Sequence, residues 1–219
     1  YWSIDYSDVI TIESAQGIVT ASPFVQAVKR TIDGTLIGVT TKYFNASNVK
    51  TDGIDFAINY SSDFSFGYID LGLNGTYINK YEIPNAKGEK QNVVGLFNHD
   101  NFARSLPETK MTLSAILNSG PHKLALYGKH ISDYKTTRAL SDTAKSRGYT
   151  QKIDEWFSVD LQYNYTFDMD DNQISLTLGG INILDEDAPL VFDATNFSYD
   201  SRQHDIRGRI MYVGIKLIR

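Results

Sequence analysis

The chain has 219 residues, 21 Lys+Arg against 26 Asp+Glu for a net charge of −5, and no cysteine. No apolar run approaches the ~18–20 residues of a membrane-spanning helix, and the lack of thiols excludes disulfide staples, Cys-ligated iron–sulfur clusters and thiolate zinc sites. The acidic balance provides no basic face for a phosphate backbone, so no nucleic-acid partner is expected. Tyrosine dominates the aromatics, with 14 Tyr against 11 Phe and 2 Trp; its ring suits an apolar layer while its hydroxyl stays wet.

Residue 1 is Tyr, and Tyr1–Ile12 lacks the basic and apolar regions of a signal peptide. The sequence therefore reads as a piece of a longer chain. In chain order, period-2 alternation predicts strands at Tyr1–Ile12, Val49–Tyr60, Phe64–Tyr81, Thr109–Leu117, His122–Tyr134, Trp156–Phe167, Gln173–Leu184 and Arg207–Ile218. In the clearest of them Phe157, Val159, Leu161, Tyr163 and Tyr165 share one side, and Ser158, Asp160, Gln162 and Asn164 the other. The last sets Met211, Val213, Ile215 and Leu217 against Tyr212, Gly214 and Lys216.

Tight turns are expected at Ser61–Asp63, Asn118–Pro121 and Asp168–Asn172, and long connections over about 13–48, 82–106, 135–154 and 185–205. If neighbouring strands pair antiparallel, every short turn falls at one end of the sheet and every long loop at the other. Outer-membrane barrels have that asymmetry. A β-sandwich with its apolar side inward produces the same alternation, so both architectures stay open at this level.

Four patches carry a family resemblance. They are Tyr199–Leu217, with a Gly208-Arg209 pair before an alternating run; Gly180–Pro189, a strand ending Asn182-Ile-Leu-Asp185 before Pro189; Asn45–Phe56, with Gly53 ahead of Ile-Asp-Phe; and Leu106–Lys110, a Pro-led descent into a strand. In order and spacing they resemble the C-terminal barrel region of TonB-dependent outer-membrane receptors. The resemblance implies an all-β, antiparallel transmembrane β-barrel segment: about eight strands of a barrel of about 22, an open curved sheet in isolation. Residues 1–219 would be its C-terminal portion, with the plug domain and TonB box absent. The chain departs from the family by ending in Arg219 where an aromatic residue is usual.

The function implied is energy-dependent uptake of a scarce small-molecule solute, such as an iron–siderophore complex, cobalamin or a carbohydrate, with no enzymatic step and no cofactor. Partners would be outer-membrane lipid and lipopolysaccharide, the TonB energy-coupling complex acting through the plug, and the barrel-assembly machinery. Two other readings are a self-contained eight-stranded outer-membrane barrel for adhesion or anchoring, and a soluble ligand-binding β-sandwich or lipocalin-like barrel.

Solute candidates are Phe97, His99, Asn101, Phe102 and Arg104, whose mix of aromatic, amide, imidazole and guanidinium groups can grip a chelate or oligosaccharide. The same loop also reads as a folded unit in which the two Phe pack. Gly53 and Gly208 are expected at strand starts, where small residues permit bulges or close backbone contact. Asn182 and Asp185 are expected to bond the strand-to-loop transition, with Pro189 following. Arg207 and Arg209 are expected at the membrane edge or in the lumen. His99, His122, His130 and His204 lack metal-ligand spacing and read as surface residues. Asp168–Asp171 lacks the glycine and distant glutamate of a calcium loop. There is no GxSxG, HExxH or Walker sequence, so no catalytic or metal site is assigned.

Overall fold

A computed structural model describes residues 1–21, 26–46, 48–84, 89–98, 101–170, 172–192 and 198–218. Eight strands follow one another across a single antiparallel sheet: β1 (Trp2–Tyr6), β2 (Val49–Phe64), β3 (Gly67–Pro84), β4 (Thr109–Ser119), β5 (His122–Ile131), β6 (Trp156–Met169), β7 (Asn172–Ile181) and β8 (Ile210–Ile218). The short strand Lys90–Asn92 extends the sheet beside the end of β3. β1 and β8 form the two edges, and among the described residues they pair with no further strand.

The register keeps the apolar positions of all the long strands on one face. Ile58 lies opposite Leu73, Leu73 opposite Leu113, Leu113 opposite Gly128, and Gly128 opposite Val159. The next rows run Tyr163–Leu178–Val213 and Tyr165–Leu176–Ile215. A slip of one residue anywhere would move a whole strand's side chains to the wrong face. On the opposite face hydrogen bonds link neighbouring strands: Ser61 donates to Asp70 at 2.6 Å, Thr76 to Asp55 at 2.8 Å, Asn164 to Thr177 at 2.7 Å and Tyr212 to Gln162 at 2.9 Å.

Nothing among the described residues covers the apolar face. Val213 is 75% exposed, Ile215 76% and Ile58 61%. Monomers in water rarely leave more than a few hundred Å² of contiguous apolar surface open, and a sandwich would bury this face under a second sheet. The soluble-sandwich reading therefore fails. The self-contained eight-stranded barrel also finds no support, because closure would pair β1 with β8.

Burial is concentrated at the loop end instead. One cluster is Val49, Ile83 and Val93; a second is Tyr134, Ile153 and Val191. The long connections fold there. Val9–Ile12 pairs with Tyr43–Ala46, continuing the order of the β1–β2 pair beyond the main sheet. Val28–Arg30 pairs with Leu36–Val39, near helix α1 (Ala15–Ala21). A four-stranded patch takes Ser105–Leu106 and Leu96–Phe97 from one loop and Tyr134–Thr136 and Lys152–Ile153 from another. Helix α2 (Asp142–Ser146) starts where the Ser141 hydroxyl accepts the Ala144 N–H.

Several expected boundaries shift. The first strand stops at Tyr6, and Asp8 turns the chain with φ 54°. The turn expected at Ser61–Asp63 is at Ser65–Phe66, because Ser61 is a ladder residue bonded to Asp70. Gly67 follows at φ 151°, where a Cβ would lie 1.9 Å from the Asn118 carbonyl oxygen. β5 ends at Ile131, which frees Tyr134 for the small sheet, and β7 ends at Ile181. β8 begins at Ile210 and not at Arg207.

Candidate functional site on the polar face

A recess of about 520 Å³ opens on the polar face near the loop end, lined by Asp55, Asn74, Thr76, Lys110, Trp156 and Gln203 among others. Alternation puts Lys110 on β4 and Trp156 on β6 in one row with Ile131 between them. The floor is cross-linked by the Thr76–Asp55 bond and, farther down, by the Lys129–Asp160 ion pair. This surface offers hydrogen bonds, an indole ring and a lysine charge. Among the described residues no group of three or more His, Asp or Glu is placed to hold a metal ion.

Residues 198–206 pack against the loop end of the recess and contribute Gln203 to its lining. The Tyr134 hydroxyl donates to Asp200 at 2.8 Å, and the Gln203 amide donates to the carbonyl and hydroxyl oxygens of Ser105, both at 3.1 Å. His204 stacks on Tyr134, with ring centres 6.0 Å apart, and meets Trp156 edge-on at 5.8 Å. Only 6% of His204 is exposed, which corrects the surface role expected for it. Burial pushes its pKa down against the smaller opposing pull of the Asp200 carboxylate. Burial, then the Asp200 charge, push the Tyr134 phenol up.

The loop candidates part company. Phe97 packs against the Tyr134, Ile153 and Val191 cluster, whereas Phe102 packs against Val49, Ile83 and Val93. Asn101 is used locally: its amide donates to Asn98 and its carbonyl oxygen accepts the Ala103 N–H. Arg104 is exposed at φ 61°. His99 lies outside the described residues. The residue that organises this loop was not singled out by sequence: buried Asn98 donates to the carbonyls of Val93, Leu96 and Arg104. Its position, directly after the apolar Val93-Val-Gly-Leu-Phe97 stretch and at the head of the polar Asn98-His-Asp-Asn101 run, does not set it apart in the sequence. A second recess of about 500 Å³ also escaped notice; it is lined by Arg138, Tyr149 and Phe192, whose two rings lie 4.5 Å apart.

The motif residues form a clamp at the junction between β7 and β8. Asn182 exchanges side-chain bonds with the Glu186 backbone, and its own N–H reaches Asp160. Asp185, at φ 60°, accepts the Arg209 N–H at 2.8 Å and pairs with its guanidinium at 3.3 Å. Gly208 takes φ 65° beside Asp185. Arg207 pairs with Asp205, and half-buried Pro189 lies in the irregular segment beyond. Gly53 sits at a register shift in the β2–β3 ladder, where a Cβ would come within 2.5 Å of both Trp2 and the Tyr77 carbonyl oxygen.

An up-and-down antiparallel sheet with an uncovered apolar face, a hydrogen-bonded polar face and structured loops at one end defines the wall of a transmembrane β-barrel. The family model for the TonB dependent receptor-like β-barrel matches residues 1–183. The chain belongs to that family, one of outer-membrane receptors and transporters and not of enzymes. No curated protein matches it. Beyond residue 183, β8 continues the same wall by pairing with β7 from Gln173–Ile218 to Ile181–Ile210.

Proposed function

We propose that this chain is the C-terminal wall of a larger receptor that takes up a scarce solute with energy delivered through TonB. The observation that supports this most is the pair of open edges, β1 and β8, bordering an apolar face that only lipid would suit. Unpaired backbone groups are costly in hydrocarbon, so both edges call for further strands. On this reading the plug and the TonB contact belong to the rest of the receptor, the barrel-assembly machinery closes the wall, and the loops meet lipopolysaccharide. The solute class is an iron chelate, cobalamin or a carbohydrate, held by the polar-face recess and by loop groups that include Phe97, His99, Asn101, Phe102 and Arg104.

Deleting the full-length gene and growing the strain on a ferric siderophore, cobalamin or an oligosaccharide as the limiting nutrient tests the proposal. Loss of growth on one of these, restored by the intact gene, is expected, and short-term uptake of that nutrient by the complemented cells should stop when a protonophore is added. Unchanged growth and nutrient uptake on all three would contradict it.

A further inference from the structure

We propose that residues 198–206 form a strap that caps the loop end of the polar-face recess at Trp156 at neutral pH and is released when His204 takes up a proton. The proposal rests on the receptor reading only for what the strap guards; its opening can be measured with no solute present.

Four buried side-chain polar atoms without a hydrogen-bond partner meet at this one contact: Trp156 Nε1, Gln203 Oε1 and both ring nitrogens of His204. None of the four has a hydrogen-bond partner of good geometry in the closed strap, the pull of the Asp200 charge and backbone on His204 aside. The strap is thus held by ring stacking on Tyr134 and Trp156 and by two polar ties, Tyr134–Asp200 and Gln203–Ser105. At its far end the chain turns through Gly208, with φ 65°, into β8.

A neutral imidazole fits between the two rings; an imidazolium there would be a buried cation. The groups that face it are Asp200 from the strap itself, Tyr134 from the small sheet, Trp156 from β6 and Lys110 from β4. Asp200 favours the cation through its charge and its backbone carbonyl, but its carboxylate oxygens already accept the Tyr134 hydroxyl and the Arg202 N–H. Lys110 opposes it, and burial opposes it more strongly. The closed strap therefore holds the His204 proton less tightly than the open one. Closure is complete above the ordinary histidine range near ~6.5 and is lost progressively as pH falls below it. Release uncovers Trp156 and the loop end of the recess.

The test uses the full-length protein in its membrane with Ser105→Cys, a position 7% exposed beneath Gln203; residues 1–219 contain no cysteine, and any elsewhere in the protein is first replaced by Ser. Its modification rate by a charged methanethiosulfonate reagent is taken relative to Ser146→Cys, an exposed site on α2. Between pH 7.5 and 5.5 that ratio is expected to rise severalfold, with about tenfold as the limit for one linked proton. In His204→Phe and His204→Gln it should not change with pH. A ratio independent of pH in the parent, or a rise that persists in either histidine variant, would overturn the proposal. Neither result bears on the growth experiment, so the two proposals fail separately.

Discussion

The wall and the loop end of this molecule obey opposite rules. On the wall, Ile215 and Val213 are about three-quarters exposed while the face behind them is tied together by Ser, Thr, Asn and Asp. At the loop end Val93 and Ile153 are fully buried, and the polar side chains buried beside them, Asn98 and Asp200, are hydrogen-bonded within the loops, as in a water-soluble domain. One chain thus uses two solvents. Strand alternation satisfies the first and loop packing the second.

Truncating the loop-end core should break the comparison most. Ile153→Ala removes a fully buried side chain from the Tyr134–Val191 cluster and should cost about 2–5 kcal/mol locally, read as faster hydrogen exchange at Lys135 and Thr136. On the wall the sign of burial reverses. Leu161→Arg, on the apolar face of β6, should destabilise the vesicle-embedded receptor by about 2–4 kcal/mol in urea unfolding. Its neighbour Gln162→Arg should cost only about 1 kcal/mol, for the bonds to Tyr212 and Asn164. Equal costs at 161 and 162 would erase the difference between the faces.

The junction between the regions is sharpened by smaller changes. Asn182→Ala leaves the Glu186 backbone without its two side-chain partners and should cost about 1–3 kcal/mol, seen as lost exchange protection at Glu186. Arg209→Ala removes a half-exposed ion pair and should change unfolding by only about 0–1 kcal/mol.

How much was legible in the sequence follows the same division. The wall could be read because period-2 alternation fixes a face residue by residue, and the register joins those faces with Leu73, Leu113 and Val159 on one side. Polar composition misled only where it imitated a turn, at Ser61–Asp63. The loop end could not be read, because its contacts join short pieces far apart in sequence: Leu96–Phe97 lies parallel to Tyr134–Thr136, and Gln203 reaches Ser105. Neither two-residue strands nor His204 lodged between Tyr134 and Trp156 leaves any periodic signature.

The central claim, that the apolar face meets lipid and the polar face does not, is tested most directly by scanning spin labels one residue at a time from Phe157 to Tyr165 in the full-length receptor in bilayers. Oxygen, which concentrates in lipid, should reach labels at 157, 159, 161, 163 and 165, while labels at 158, 160, 162 and 164 should show little oxygen access and more contact with a water-soluble nickel chelate. A profile without the two-residue period, or one with the even positions in lipid, would contradict the account.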